Sequence, residues 1–166
     1  MKKIQKIALT GLFAAMITVM TAYICHIPVG TNGGYVHFGD ALIYLAAGLL
    51  PMPYAIAAAA IGGGLADLLT APVWAISTII IKSAICLPFT AKKEKIICPR
   101  NVIALVISGA ITILGYAVAE GIMFGNWAAA FAGATGSLVQ AGGSAVIFLV
   151  LGFALDKANI RKFMKN

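Results

Sequence analysis

Charge in this chain is confined to three short stretches. Eleven of its twelve Lys and Arg residues fall at positions 2–6, 92–100 and 157–165, and the sequence between them is almost continuously apolar. An ordinary soluble domain carries about a quarter charged residues, whereas here 10% are charged and 61% hydrophobic. Mean hydropathy is +1.00, so the solvent for most of the chain is lipid. Cytoplasmic loops retain Lys and Arg, so the three clusters mark one side of the bilayer and the cation-free connections the other. The net charge of +7 does not point to nucleic acid. The basic residues sit beside apolar spans instead of along one polar face, and topology and anionic lipid headgroups account for them.

Cys25, Cys86 and Cys98 are odd in number and form no C-x-x-C. Cys25 and Cys98 fall at opposite ends of the membrane, so the cysteines read as packing residues, not as a disulfide framework or a zinc site. The first apolar stretch has the Lys-rich start of a signal peptide. It lacks a small-residue cleavage site and further spans follow, so it reads as a retained helix.

A helix needs about 20 residues to cross the hydrocarbon, and the pattern supplies six segments, near 7–25, 39–50, 54–69, 73–89, 101–123 and 128–155. Pro51 and Pro53 stop the short second segment, because proline lacks a donor and clashes with the preceding turn. The expectation is therefore an all-α integral membrane protein, one domain over residues 1–166, with six transmembrane helices. Six crossings put both termini and the basic loop at 92–100 on the cytoplasmic side, so parity and the charge rule agree. The outer segment 26–38 is Gly-rich yet carries Tyr35, Val36 and Phe38. It reads either as a plain connector or as a cap folded over a cavity.

Four ionisable residues fall between the clusters: Asp40, Asp67, Lys82 and Glu120. A charge in lipid costs several kcal/mol, so each should face a protein interior or a wet cavity. Lys82 lies about 14 Å into the fourth segment at 1.5 Å per residue, near mid-membrane. Alternatives remain open at each position. Asp40 serves as a helix N-cap or as a ligand contact. Asp67 and Lys82 form a structural ion pair or a binding pair, and Glu120 sits in the site or in the headgroup region. Gln140 contacts ligand or bonds between helices. His26 and His37 lack the spacing of a metal site, and no metal is expected. Tyr35, Phe38, Trp74 and Trp127 are available to stack on a flat ring, and His37 lies beside Tyr35 in the outer segment.

Small residues form stripes in the first helix, with Gly11 and Ala15 on one and Thr10, Ala14, Thr18 and Ala22 on the other. Such stripes let a second helix approach closely, within the protein or on a partner. Gly62, Gly63 and Gly64 suggest another close approach or a bend.

The chain resembles a substrate-binding S component of an energy-coupling factor (ECF) transporter, the vitamin-uptake branch of the ABC family. The resemblance covers nearly the whole chain, through the six spans, the small-residue stripe, Gly34-Tyr35-Val36-His37-Phe38-Gly39-Asp40, Gly64-Leu65-Ala66-Asp67, Ile81-Lys82 and Ala119-Glu120. It implies capture of a small water-soluble vitamin or precursor on the extracellular side of a prokaryotic cell membrane. By that resemblance Gly11, Ala14, Ala15 and Thr18 dock on a membrane-embedded coupling subunit, and two ATPase subunits use the ATP. No phosphate-binding loop occurs in this chain, which is expected to bind no cofactor and to catalyse no reaction. A pyridoxine-like or pyrimidine-like cargo is favoured. The competing class is a stand-alone ion-coupled carrier or small channel, with Asp67, Lys82 and Glu120 as its relay.

Overall fold

A computed structural model describes residues 1–24, 26–29 and 34–165. Cys25, expected to end the first span, lies outside the described residues, as do positions 30–33 of the outer segment. The order of elements is α1 (Lys3–Ala22), β1 (Ile27–Val29), β2 (Gly34–Val36), α2 (Asp40–Leu49), α3 (Met52–Thr70), a 3-10 turn (Pro72–Trp74), α4 (Ala75–Ala84), α5 (Pro99–Phe124), α6 (Trp127–Lys157) and α7 (Ile160–Lys165).

Among the described residues four helices, α1, α3, α5 and α6, are long and apolar enough to cross a membrane. The other two apolar segments, Asp40–Leu49 and Pro72–Ala84, are shorter. At 1.5 Å per residue α2 is only about 15 Å long. All ten of its residues are buried, with α1, α3 and α6 packed around it. An element enclosed by its neighbours meets no lipid and need not match the bilayer in length. The segment expected to be helical over 73–89 is helical only to Ala84. It continues in tight turns, with Cys86 N bonded to Ser83 O, Leu87 N to Ala84 O and Phe89 N to Cys86 O. Pro88 disfavours helical backbone in the residue before it.

Local chemistry fixes the long helices. Proline is accommodated in the first turn of α3 and of α5, where a missing N–H costs nothing. Gly125 ends α5 in the left-handed conformation, φ 67°, and the Asn126 side chain then caps α6 by accepting from Ala129 N at 3.0 Å. That two-residue turn makes α5 and α6 neighbours. In the core, the Tyr44 ring stacks on Phe89 at 5.1 Å and meets the edge of Phe148 at 6.1 Å.

The two ends of the bundle differ. At one, β1 and β2 form an antiparallel hairpin that pairs Ile27 with Val36 and Pro28 with Tyr35, regular structure that the sequence did not announce. At the other lie the basic clusters, where segment 91–98 is tied down by polar contacts. Asp156 accepts from Ile96 N at 2.7 Å and Ile97 N at 2.9 Å. Asn101 bonds both Thr90 and Ile96, and Arg161 donates to Ala91 O at 2.6 Å and to Gly48 O.

Candidate functional site

Asp40 opens α2 with its carboxylate completely buried, and the chain brings two partners to it from distant elements. Lys82 Nζ of α4 lies 2.7 Å from Oδ1 and 3.0 Å from Oδ2, and Gln140 Nε2 of α6 donates to Oδ2 at 2.9 Å. Lys82 is 1% exposed and Asp40 0%, so the charges are compensated by each other in a medium where a lone charge would not persist. The ammonium also sits 5.1 Å from the centroid of the Tyr116 ring, within the range of a cation–π contact. The Tyr116 hydroxyl shares a 2.9 Å hydrogen bond with Thr78 Oγ1. The sequence offered Asp67 as the partner of Lys82. In the structure that partner is Asp40, and Asp67 instead accepts a hydrogen bond from the Tyr35 hydroxyl.

Tyr35 belongs to the hairpin, so this bond fastens the hairpin to α3. Its ring stacks on His26 at 3.9 Å and lies 5.5 Å from the ring of His37. His37 Nδ1 accepts from Gly39 N at 3.0 Å and lies 3.4 Å from Thr21 Oγ1. Burial and the nearby Lys82 ammonium push His37 down to about 3, so its ring is neutral, with the proton assigned to Nε2 by the Gly39 contact. Burial and the neighbouring Asp67 carboxylate push the Tyr35 phenol well above its ordinary value, so it stays a donor. Gly39 is required at its position because a Cβ there would collide with Thr21 Oγ1. Phe38 completes the attachment, its ring packed against Gly143 of α6.

One helical turn deeper, three more polar groups converge. Tyr44 follows Asp40 by one turn on α2, Ser144 follows Gln140 by one turn on α6, and Thr112 precedes Tyr116 by one turn on α5. Their hydroxyls are buried; Tyr44 and Thr112 face each other, and by strict hydrogen-bond geometry none of the three has a partner among the described residues. Sequence reasoning missed Thr21, Thr78, Tyr116 and this hydroxyl layer. The available signal was the four-residue spacing from Asp40, Gln140 and Glu120.

Of the remaining candidates, Trp74 borders the cluster through Tyr116 and Trp127 does not. Trp74 is 6% exposed and packs edge-on against Tyr116, at 6.0 Å between centroids. Glu120 lies one turn beyond Tyr116 with its carboxylate against Gly133 of α6. Trp127 is 49% exposed and covers Gly121, so it is not gathered to the cluster. Among the described residues no group of His, Cys, Asp and Glu could hold a metal ion, and Cys86 and Cys98 are buried free thiols.

The small-residue stripes of α1 separate into two faces. Ala14 and Thr18 pack on α3, where Thr18 Oγ1 donates to Ala14 O at 2.9 Å and Gly62 O at 3.0 Å. A Cβ at Gly62 would stand 2.7 Å from Ile17 Cβ and 2.8 Å from Ala14 O. Gly11 and Ala15 face outward beside exposed Leu12, Met16 and Val19.

An uncharacterized protein from Pyrococcus woesei, described as lying in the gap 3' region, is 29% identical over 140 residues, covering 83% of this chain and 93% of that protein. A family model described as the S component of the ECF-type riboflavin transporter matches residues 1–157. That match and the apolar helices make this a multi-pass plasma-membrane protein that serves transport and is not an enzyme. The chain belongs to the ECF-type riboflavin transporter S-component family, the substrate-specific subunits of ECF transporters.

Proposed function

We propose that this subunit captures a small heteroaromatic vitamin from the extracellular side in a site formed by Asp40, Lys82 and Gln140 and closed by the hairpin. The observation that carries this reading is the buried hydroxyl layer of Tyr44, Thr112 and Ser144 beside the ion pair. An unsatisfied buried hydroxyl costs about 1–3 kcal/mol, and a layer in which Tyr44 and Thr112 have only each other and Ser144 has no partner among the described residues suits a ligand that brings its own polar groups. Tyr35, His37 and Trp74 supply aromatic surface, and Asp67 fastens the lid through Tyr35. In this reading all six apolar segments contribute crossings, the short α2 lies within the bundle while α4 keeps one face outward, and the three basic clusters with both termini face the cytoplasm. The outward face of α1, with Gly11 and Ala15, docks on the coupling subunit. Two ATPase subunits supply the energy, so an ion-coupled carrier is not favoured.

Riboflavin is the vitamin in the family's name and the first ligand to test. Pyridoxine and the pyrimidine precursor of thiamine are the next, as flat rings with several polar substituents. Mass spectrometry of small molecules released from the gently purified chain identifies the cargo. A stoichiometric vitamin, retained by wild type and lost from Lys82→Met and Gln140→Ala, supports the site. Its retention by both variants refutes the site, and proton-driven uptake by the chain alone in vesicles refutes the function.

A further inference from the structure

A cavity of about 720 Å³ opens at the basic end of the bundle, far along the chain fold from the site under the hairpin. The turn from α2 through Pro51 into α3 leaves a recess between the start of α1, residues 89–92 and α7, and four cations line it: Lys6, Lys92, Arg100 and Arg161. No carboxylate is among its lining residues within the described part of the chain. Arg161 is held in place by Ala91 O and Gly48 O and has the Asp156 carboxylate nearby. Met52 and Phe89 add apolar wall beside the cations.

We propose that this cavity holds the headgroup of an anionic phospholipid. The phosphodiester supplies a negative charge that no lining residue offers to Lys6, Lys92 and Arg100, while Arg161 already faces Asp156 and shapes the wall. The apolar wall receives the glycerol and the start of the acyl chains, a use that free phosphate has no means to make. Basic recesses between helices on the cytoplasmic side are where anionic headgroups bind, and the cavity faces that leaflet in the orientation proposed above. Its occupancy does not depend on which vitamin the other end carries.

The test uses the full chain, delipidated in detergent, mixed with phosphatidylglycerol or phosphatidylcholine and examined by native mass spectrometry. One phosphatidylglycerol per chain should be retained over phosphatidylcholine by about tenfold, and Lys92→Gln with Arg100→Gln should reduce that preference by a similar factor. The single variant Lys6→Gln, which removes no hydrogen bond described above, should weaken it to a lesser degree and serves if the double variant fails to fold. Equal retention of the two lipids overturns the proposal, as does undiminished phosphatidylglycerol retention by a folded variant. Displacement of the lipid by millimolar inorganic phosphate overturns it in favour of a soluble anion.

Discussion

The ammonium of Lys82 on α4 lies 2.7 Å from the carboxylate of Asp40 on α2, and both side chains are fully buried. This contact joins two elements separated in sequence by the whole of α3. Removing one partner leaves an uncompensated charge in the bundle, which typically costs about 3–5 kcal/mol, whereas replacing both by neutral groups of similar size is often tolerated. Lys82→Met and Asp40→Asn should therefore each lower the midpoint of thermal unfolding in detergent strongly. The double variant should recover much of the loss without recovering vitamin binding. A double variant no more stable than the singles would show that the pair is not the source of the destabilisation.

The hairpin should loosen in acid. His37 carries a value of about 3 when buried, against about 6.5 in water, so the open form binds a proton more readily than the closed one. The closed form has its full stability above pH 6.5 and loses it as pH falls towards 3, by at most about 1.4 kcal/mol per unit. The charged and titratable groups around His37 are Lys82, Asp40, His26 and Tyr35, and the Lys82 charge opposes its protonation. The protection of the β1 and β2 amides, their exchange rates corrected for the intrinsic slowing of exchange in acid, should fall between pH 6.5 and pH 5. His37→Asn, whose amide oxygen can take the place of Nδ1, should flatten that dependence; a profile unchanged in the variant would assign it to another group.

How much of this was legible beforehand differs residue by residue. Charge placement along the chain announced a membrane protein, and Asp40, Lys82 and Gln140 stood out as polar residues in apolar surroundings. Their mutual pairing did not, because a sequence gives position along a helix axis but not which neighbour that helix turns towards. Asp67 precedes Lys82 by only one turn region and looked like its partner, yet α2 occupies the centre of the bundle and brings Asp40 there instead. The hairpin escaped notice because three-residue strands are too short to show alternation.

The two faces of α1 make separable predictions. At Gly62 a Cβ would meet Ile17 Cβ at 2.7 Å, so Gly62→Ala should destabilise the isolated subunit by about 1–3 kcal/mol, the usual cost of overpacking. Gly11 has nothing within 4 Å of a built Cβ, so Gly11→Leu should not destabilise the isolated subunit and should gain about 0.5–1 kcal/mol of helix propensity. If the outward face docks on the coupling subunit, Gly11→Leu and Ala15→Leu should reduce co-purification of the complex while vitamin binding by the subunit persists. Intact complex formation by both would place the contact elsewhere.

At the basic end, one carboxylate holds a stretch with no helix or strand of its own. Asp156 accepts from the backbone N–H groups of Ile96 and Ile97 at 2.7 and 2.9 Å, and hydrogen bonds to a charged acceptor are worth about 1.5–3 kcal/mol each. Asp156→Ala removes both acceptors at once and strands two donors, one of them on the fully buried Ile96. Asp156→Asn keeps one oxygen but turns an amide donor towards the other N–H, so it should rescue only part of the loss. Limited proteolysis reads this directly, since Lys92, Lys93 and Lys95 lie within the tethered segment. Trypsin should cut there faster in Asp156→Ala than in Asp156→Asn, and slowest in wild type. Equal rates in all three would mean that Asn101 and Arg161 hold the segment without Asp156.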